Sequence, residues 1–312
     1  MSTPTDGIAL PSATIVMTTH NRPELVKRAL GSALGQTGVD LRVVMVDDGS
    51  EPPFQPAVDD ERLTLLRNES PRGPAAARNQ GLARAGGDWV SFLDDDDVLR
   101  PHMLRSSIDA ARSSALPRPV SAMSGAEIVS PDGTVIAVRM PPTLEKGKHY
   151  FLEDLHDGAS FQTHATLVAP LEVVRGMGGF DAKLPASEHD DFFIRLNAVS
   201  SIQGLGEVTY QITAHTGQRL SKAILERARG MELTVAKHET TFSRHPRRYG
   251  HYLATIGVTY LRGGEWWPAI KATTKALVVD PRRPRTYLWW LAALAGPWPL
   301  ELRRRIRRRR AS

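Results

Sequence analysis

The stretch Trp89-Val90-Ser91-Phe92-Leu93-Asp94-Asp95-Asp96-Asp97 is a mostly apolar run that ends without transition in four carboxylates. A run this short, bounded by an abrupt polar break, reads as a buried strand. The quartet therefore belongs to a strand's carboxyl end. Working outward, the same grammar recurs. Residues 13–18 (ATIVMT) stop at Thr19-His20-Asn21, and Pro23 opens a helical pattern through Leu25, Val26, Ala29, Leu30 and Ala33. Residues 41–46 (LRVVMV) stop at Asp47-Asp48-Gly49-Ser50, and residues 62–66 stop at Arg67-Asn68. A helix starting near Pro74 carries Ala75, Ala76, Leu82 and Ala83. Short strands alternating with helices predict an α/β fold with a parallel sheet, whose ligands bind beyond the carboxyl ends of the strands. The polar clusters at residues 18–22, 47–50 and 94–97 all fall on that edge.

Four adjacent carboxylates repel one another by about 1 kcal/mol per pair at 4 Å in bulk water, and by more where water is thinned out. Cations must compensate them, and an oxygen-rich site suits a hard divalent ion that leaves positions open for a diphosphate. Asp47-Asp48-Gly49-Ser50 could accept hydrogen bonds from ribose or base, as acids at strand ends do in dinucleotide folds, or could simply be turn chemistry. In Arg72-Gly73-Pro74-Ala75-Ala76-Ala77-Arg78-Asn79, small residues start a helix between two arginines, a combination suited to phosphate oxygens.

The 312 residues include no cysteine, which excludes a disulfide framework, a thiolate metal site and thiol catalysis. The net charge of +6 is unevenly placed. Residues 281–312 hold ten arginines and one acid, Glu301, for a net of +9, which leaves −3 on residues 1–280. A chain whose body is slightly acidic is not expected to bind nucleic acid. Residues 1–11 have neither the basic stretch nor the continuous apolar run of a secretory leader. No stretch reaches the ~20 apolar residues that span a bilayer. The expectation is a cytoplasmic protein, soluble or peripheral on the inner face of the plasma membrane.

Taken in order, Thr18-Thr19-His20-Asn21-Arg22-Pro23, Asp47-Asp48-Gly49-Ser50, residues 73–79 with Gly81, Phe92-Leu93-Asp94-Asp95-Asp96-Asp97 with Pro101, Gly178-Gly179-Phe180-Asp181, and Glu188-His189-Asp190-Asp191 with Arg195 resemble the motifs of family 2 glycosyltransferases. The resemblance covers residues 12–220. It implies a GT-A fold, a Rossmann-like nucleotide-sugar-binding sheet flanked by helices, and an inverting transfer from a UDP-, dTDP- or GDP-linked sugar with Mn²⁺ or Mg²⁺ as cofactor. By the same resemblance, Thr18, Asn21, Arg22 and Glu24 line the nucleotide pocket, and Asp47 or Asp48 reads base and ribose. Arg78, Asp94 and Asp95 contact the nucleotide-sugar. Asp94 and Asp96 form the Asp-x-Asp pair, with Asp96 the direct metal ligand, and His215, with Arg219 nearby, closes the site over the metal and diphosphate. Residues 178–181 shape the acceptor side.

The late acidic motif supplies the general base in this family, and here the chain departs from the pattern. The usual second acid of Glu-Asp-x-Asp is His189. Imidazole can take a proton near neutral pH, and so can the carboxylates beside it. Asp190 and Asp191 are favoured, with His189 and Glu188 as alternatives. The resulting mechanism is a single displacement. The base takes a proton from an acceptor hydroxyl, whose oxygen attacks the anomeric carbon while the diphosphate leaves from the opposite face.

Beyond the catalytic unit, residues 221–300 read as a small α-helical extension. Residues 251–262 and 267–279 form a helix pair around Gly263-Gly264, closed by Asp280-Pro281 and similar to one tetratricopeptide repeat. Tyr287, Leu288, Trp289, Trp290, Leu291 and Leu294 then precede the arginine-rich tail, residues 301–312. An aromatic segment followed by cations suits an anionic membrane surface, and the expected acceptor is a glycan or a lipid-linked hydroxyl in cell-envelope polysaccharide or glycolipid synthesis. Two other readings remain. A sugar-phosphate nucleotidyltransferase would be expected to carry a glycine-rich loop after the first strand, where residues 18–23 have no glycine. A catalytically inactive, membrane-associated scaffold is kept alive by His189.

Overall fold

The computed structural model describes residues 9–149, 152–153, 164–214 and 221–296. They form two compact units. The first comprises Met1–Tyr150, Asp154–Ala182 and Asp191–Thr216, and the second Phe151–Glu153, Lys183–Asp190 and Gly217–Ser312.

The first unit is built on the strands expected from the apolar runs: β1 (Ser12–Thr19), β2 (Asp40–Asp48), β3 (Leu63–Asn68) and β4 (Trp89–Asp94), pairing in parallel in the order β3-β2-β1-β4. Helix α1 (Pro23–Leu34) joins β1 to β2, and α2 (Pro74–Arg84) joins β3 to β4. Both start on a proline in the first turn, where the missing N–H costs nothing. Helix α3 (Met103–Ser113) lies with α1 against one face of the sheet, where Ala13, Ile15 and Met17 meet Val26, Leu30, Met103, Leu104 and Ile108 in one buried cluster. Helix α2 covers the other face. A Cβ added to Gly81 would lie 2.5 Å from Val16 Cγ1, so only glycine lets the α2 backbone come this close. With both faces covered, the inner strands read as unbroken apolar runs.

The sheet is not wholly parallel. Strand β8 (Leu167–Pro170) runs antiparallel to β4 and to β6 (Val120–Val129), and β7 (Val135–Arg139) folds back on β6. Strand β9 (Ser201–Thr213) lies parallel to β6 and antiparallel to the two-residue β5 (Val98–Leu99). These senses make β5 run opposite to β4, so the acidic quartet is also the turn that reverses the chain, closed by the Asp97 N–H donating to Asp94 O at 3.4 Å. Strand β9 continues unbroken through Gly204 and Gly206. At Gly204 the absent side chain has a packing reason: a Cβ there would lie 2.8 Å from the carbonyl oxygens of Pro141 and Pro142.

Helices α4 (Leu171–Gly176) and α5 (Glu188–Val199) complete the first unit's chain path, and the unit boundary falls inside α5, between Asp190 and Asp191. The sequence reading drew that boundary at residue 220 and left residues 183–190 with the sheet. They group instead with the second unit, where Gly230 of α6 (Ser221–Lys237) packs directly on the backbone of Ala186. That unit continues with α7 (Glu239–Ser243), α8 (Pro246–Gly263), α9 (Trp266–Val279) and α10 (Pro284–Leu294). The pair α8 and α9 interlocks through small residues. A Cβ on Gly257 would lie 2.5 Å from Thr273 Cγ2 and 3.2 Å from Ala269 O, and Gly264, at φ +85°, ends α8 in the left-handed conformation.

Replacing Gly81 by alanine is expected to destabilise the protein by about 1–3 kcal/mol through overpacking against Val16, measured as a lower urea midpoint. An unchanged midpoint would mean that α2 can move off the sheet at little cost.

Candidate active site

Strand order 3-2-1-4 makes β1 the point from which the chain winds first one way and then the other, and ligands in open α/β sheets bind in the crevice beyond such a point. Register aligns the polar ends there, Thr18 opposite Asp94 and Thr19 opposite Asp47. A cavity of 470 Å³ opens at this edge, lined by Thr18, Thr19, His20 and Arg22 from the end of β1, by Asp48, by Pro71, Gly73, Pro74, Ala77 and Arg78 at the start of α2, and by Asp94, Asp95 and Asp96.

Two guanidinium groups hold the acidic turn. Arg78 Nη2 donates to Asp94 Oδ1 at 2.8 Å, and Arg22 Nη1 donates to Asp95 Oδ1 at 3.1 Å and to Asp96 Oδ2 at 2.9 Å. The Thr19 hydroxyl donates to Asp95 Oδ2 at 2.9 Å. Burial raises the Asp95 carboxyl above its usual value, against the pull of Thr19 and Arg22. The fourth acid, Asp97, does not face the cavity. It accepts from the Tyr210 hydroxyl at 2.8 Å and the Thr213 N–H at 3.1 Å, both on β9. Burial, followed by the charge of Asp94, pushes it up to about 8. The quartet thus divides into three carboxylates at the cavity and one that ties the turn to β9.

The two acids after β2 also divide. Asp47 is fully buried and accepts from the Ser50 N–H at 2.9 Å, the Phe54 N–H at 3.0 Å and Arg67 Nη1 at 2.6 Å. Burial alone would raise it, but these bonds outweigh burial and hold it below the ordinary carboxylate value. Its oxygens shape the turn, and it is not among the cavity-lining residues. Asp48 lines the cavity and accepts from the N–H groups of Arg72 and Gly73, each at 2.9 Å, and from Asn68 Nδ2 at 2.8 Å. It sets the loop that delivers α2. Gly49, at φ +75°, allows the close approach, since a Cβ there would lie 2.8 Å from Pro71 N.

Other expected site residues lie elsewhere. Glu24 is an exposed residue of α1 paired with Lys27 at 2.7 Å, because its place in the first helical turn points it into solvent. Asn21, at φ +55°, bridges two turns, its N–H donating to Ser50 Oγ at 2.9 Å and its Oδ1 accepting the Glu51 N–H at 2.8 Å. It borders a separate recess of 250 Å³ with Pro52, Pro53 and Phe54. His215 lies outside the described residues. Two polar cavity residues, Thr19 and His20, are given no role by the sequence, and Thr19 is the one that bonds Asp95. His20 lines the wall, its Nδ1 2.9 Å from Asp48 O, and its place at the end of β1, beside Thr19, was the available signal.

The Gly178–Asp181 motif is joined to α2 by Asn79, whose Nδ2 donates to Phe180 O at 2.7 Å while its Oδ1 accepts the Phe180 N–H at 2.8 Å. Phe180 stacks on Phe192 with ring centroids 4.4 Å apart, and Arg78 lies over the Phe180 ring at 5.3 Å. In the late acidic motif, Asp191 is fully buried and takes Arg195 Nε and Nη2 at 2.8 and 2.6 Å, while Arg195 Nη1 donates to Met177 O. That carboxylate pins α5 to the end of α4 and is not presented to solvent. In the second unit, Asp190 accepts from the Tyr252 hydroxyl at 2.6 Å and is raised by burial, and His189 Nδ1 lies 3.9 Å from Glu188 Oε1.

Among the described residues, no three His, Asp or Glu side chains gather as a ready-made metal cage. The cavity nevertheless brings Asp94 and Asp96 together with Asp48 and Asp95 against only Arg22 and Arg78, a formal charge of −2. An all-oxygen carboxylate pair with this surplus fits a hard divalent ion that draws its remaining ligands from phosphate and water.

Known proteins agree with this geometry. Residues 14–116 match the family model described as "Glycosyl transferase family 2". The succinoglycan biosynthesis protein ExoO of Rhizobium meliloti is 38% identical over 127 residues, covering 40% of this chain and 36% of that protein. The pre-mycofactocin glycosyltransferase of Mycobacterium tuberculosis is 30% identical over 202 residues, covering 62% and 40%. The chain therefore spans well under half the length of these curated relatives. Among solved structures, residues 1–349 of TarS from S. aureus superpose with a TM-score of 0.58 at 15% identity, over 86% of this chain and 81% of that one. The same fragment in complex with UDP-GlcNAc gives 0.55 at 16% identity, over 91% and 79%. At such identity the likeness is one of fold, and it identifies the first unit's mixed sheet with its flanking helices as a GT-A fold. The family model's span includes β1 to β4, the two arginines and the acidic turn, and over those residues the chain is similar to glycosyl transferase family 2.

Proposed function

We propose that the protein transfers a sugar from a nucleotide-linked donor to an acceptor hydroxyl with inversion at the anomeric carbon. The observation that carries this reading is the cavity at the β1 switch point, where two arginines rest on three carboxylates at the start of a helix. A diphosphate entering a site of formal charge −2 would be repelled, so a divalent ion on Asp94 and Asp96 belongs to the reading. When bound, it supplies positive charge against the leaving diphosphate. Arg22 and Arg78, which hold the acids, would also face the phosphate oxygens of a bound donor. The α2 N-terminus, left without a side-chain cap by Gly73, offers its N–H groups on the same wall.

In the transfer, the acceptor oxygen forms its bond to the anomeric carbon as the bond to the diphosphate oxygen breaks. The hydroxyl proton passes to a base in the late acidic motif. Asp190 and Asp191 are the carboxylates assigned to this step. His189 and Glu188 are the alternatives. The UDP-GlcNAc complex of TarS supports a UDP-linked donor, and the relative in succinoglycan biosynthesis supports a glycan or lipid-linked acceptor of the cell envelope.

Thermal unfolding with a panel of UDP-, dTDP- and GDP-sugars tests the donor and the metal together. One donor with Mn²⁺ should stabilise the wild type by about 2.7 kcal/mol at a hundred times its Kd, and Asp96→Ala or excess chelator should abolish the gain. No response to any donor with metal overturns the reading.

Arg78→Ala should lower kcat/KM by about 10²–10³, the scale of losing one preorganised group at a developing charge. A change below threefold would remove Arg78 from the leaving-group side.

Asp190→Asn should reduce kcat by about 10²–10⁴ with the donor KM nearly unchanged. If His189→Asn shows that loss and Asp190→Asn does not, the imidazole is the base.

A further inference from the structure

We propose that the second unit docks on an anionic lipid surface through the outer face of α10 and the arginines that border it. Helix α10 packs inward only through Thr286, Ala293 and the half-buried Trp290, whose Nε1 donates to Thr274 Oγ1 of α9 at 2.9 Å. Its other apolar side chains stand in solvent: Leu288 is 66% exposed, Leu291 54%, Leu294 50%, and Tyr287 and Trp289 43% each. Positions 287, 291 and 294 follow the i, i+4, i+7 spacing of one helical stripe, with 288 beside it. Large apolar side chains gathered in this way on a water-facing helix mark an interaction surface.

Charge selects the occupant. No acid occurs between Asp280 and Glu301, whereas Arg282, Arg283 and Arg285 enter or open α10. The start of α8 lies at this same end, since a Cβ on Gly250 would meet Asp280 Cβ at 2.7 Å. It adds Arg247, Arg248 and His251, and burial together with the nearby charges of Arg283 and Arg248 lowers the imidazole below its usual value. After Glu301 the sequence carries seven more arginines. A second copy of the chain would bury the leucines but bring two segments of net +9 together. A nucleic acid or acidic peptide would take the arginines and leave the leucines in water. An anionic leaflet satisfies both, with the apolar stripe at the headgroup boundary and the bordering arginines at the lipid phosphates. The eleven residues of α10 reach only about 16 Å at 1.5 Å per residue, which suits lying in the interface and is too short to cross it.

Vesicle co-sedimentation of the full chain tests this, independently of the sugar-transfer reading. Vesicles of phosphatidylcholine with phosphatidylglycerol should bind the wild type at least tenfold more tightly than phosphatidylcholine alone. The double variant Leu288→Asp with Leu291→Asp should lose at least tenfold, with an unchanged circular dichroism spectrum, because both side chains are exposed. Arg283→Glu with Arg285→Glu should weaken binding and flatten its salt dependence. Equal binding to both vesicle types, or equal binding by wild type and leucine variant, overturns the proposal. So does a wild-type dimer that the leucine variant abolishes, which would assign the face to a second copy. Binding of single-stranded DNA in place of vesicles, insensitive to the leucine variant, would assign the arginines to nucleic acid.

Discussion

Three carboxylates and a fourth behind them share one reversing turn, and the first unit is arranged around keeping them there. At 4 Å, two like charges cost about 1 kcal/mol in water and about 4 kcal/mol at the effective dielectric of a protein surface. Arg22 and Arg78 answer that repulsion from opposite sides, one from the turn after β1 and the other from the first turns of α2. Each guanidinium needs its own support. Arg22 depends on the Asn21 bridge to Ser50 and Glu51, and Arg78 on the loop that Asp48 ties down through the N–H groups of Arg72 and Gly73. Charge balance at one strand end thereby couples the β1–α1 and β3–α2 connections and the loop after β2, which are distant in sequence.

The same turn fixes the far side of the sheet. Asp97 is sheltered enough to rise to about 8, and its partners Tyr210 and Thr213 come from the end of β9, more than a hundred residues later. A buried carboxyl left without these donors would cost about 1–3 kcal/mol, so the chain reversal and the register of β9 against β5 support each other. On the opposite face of the sheet, Asn79 copies a strand's hydrogen-bonding pattern to hold Phe180, and Phe180 stacks on Phe192 of α5. Of the glycine pair before Phe180, Gly179 is accounted for by that contact, since it lies directly on the Asn79 side chain, whereas Gly178 has open space around it and is explained by its φ of +80°.

Much of this was legible before any coordinates. The four parallel strands and the proline starts of α1 and α2 stood in the sequence because each is a local signal: an apolar run with a polar stop, or a proline where a helix opens. The acidic turn, Arg22 and Arg78 were legible for the same reason. What escaped was set by partners far along the chain. Asp47 and Asp48 are neighbours of one chemical type, yet one is consumed by the turn and the other faces the cavity. Asp191 resembles a base in sequence and is a buried anchor for Arg195 in space. Glu24 is exposed in the first turn of α1 and pairs there with Lys27.

The sequence alone determined the fold class, the edge of the sheet where the cavity opens and the absence of any thiol, because strand alternation, polar stops and composition need no knowledge of distant contacts. Tertiary structure decided which acids of the first two clusters line the cavity and which are spent on holding a turn. It also decided that β9 runs on through its glycines to close on Asp97, and that α10 turns its leucines outward. Those outcomes depend on which donor, backbone or helix arrives from elsewhere to bury or satisfy a side chain. Long-range contact of that kind leaves no periodic trace in the sequence.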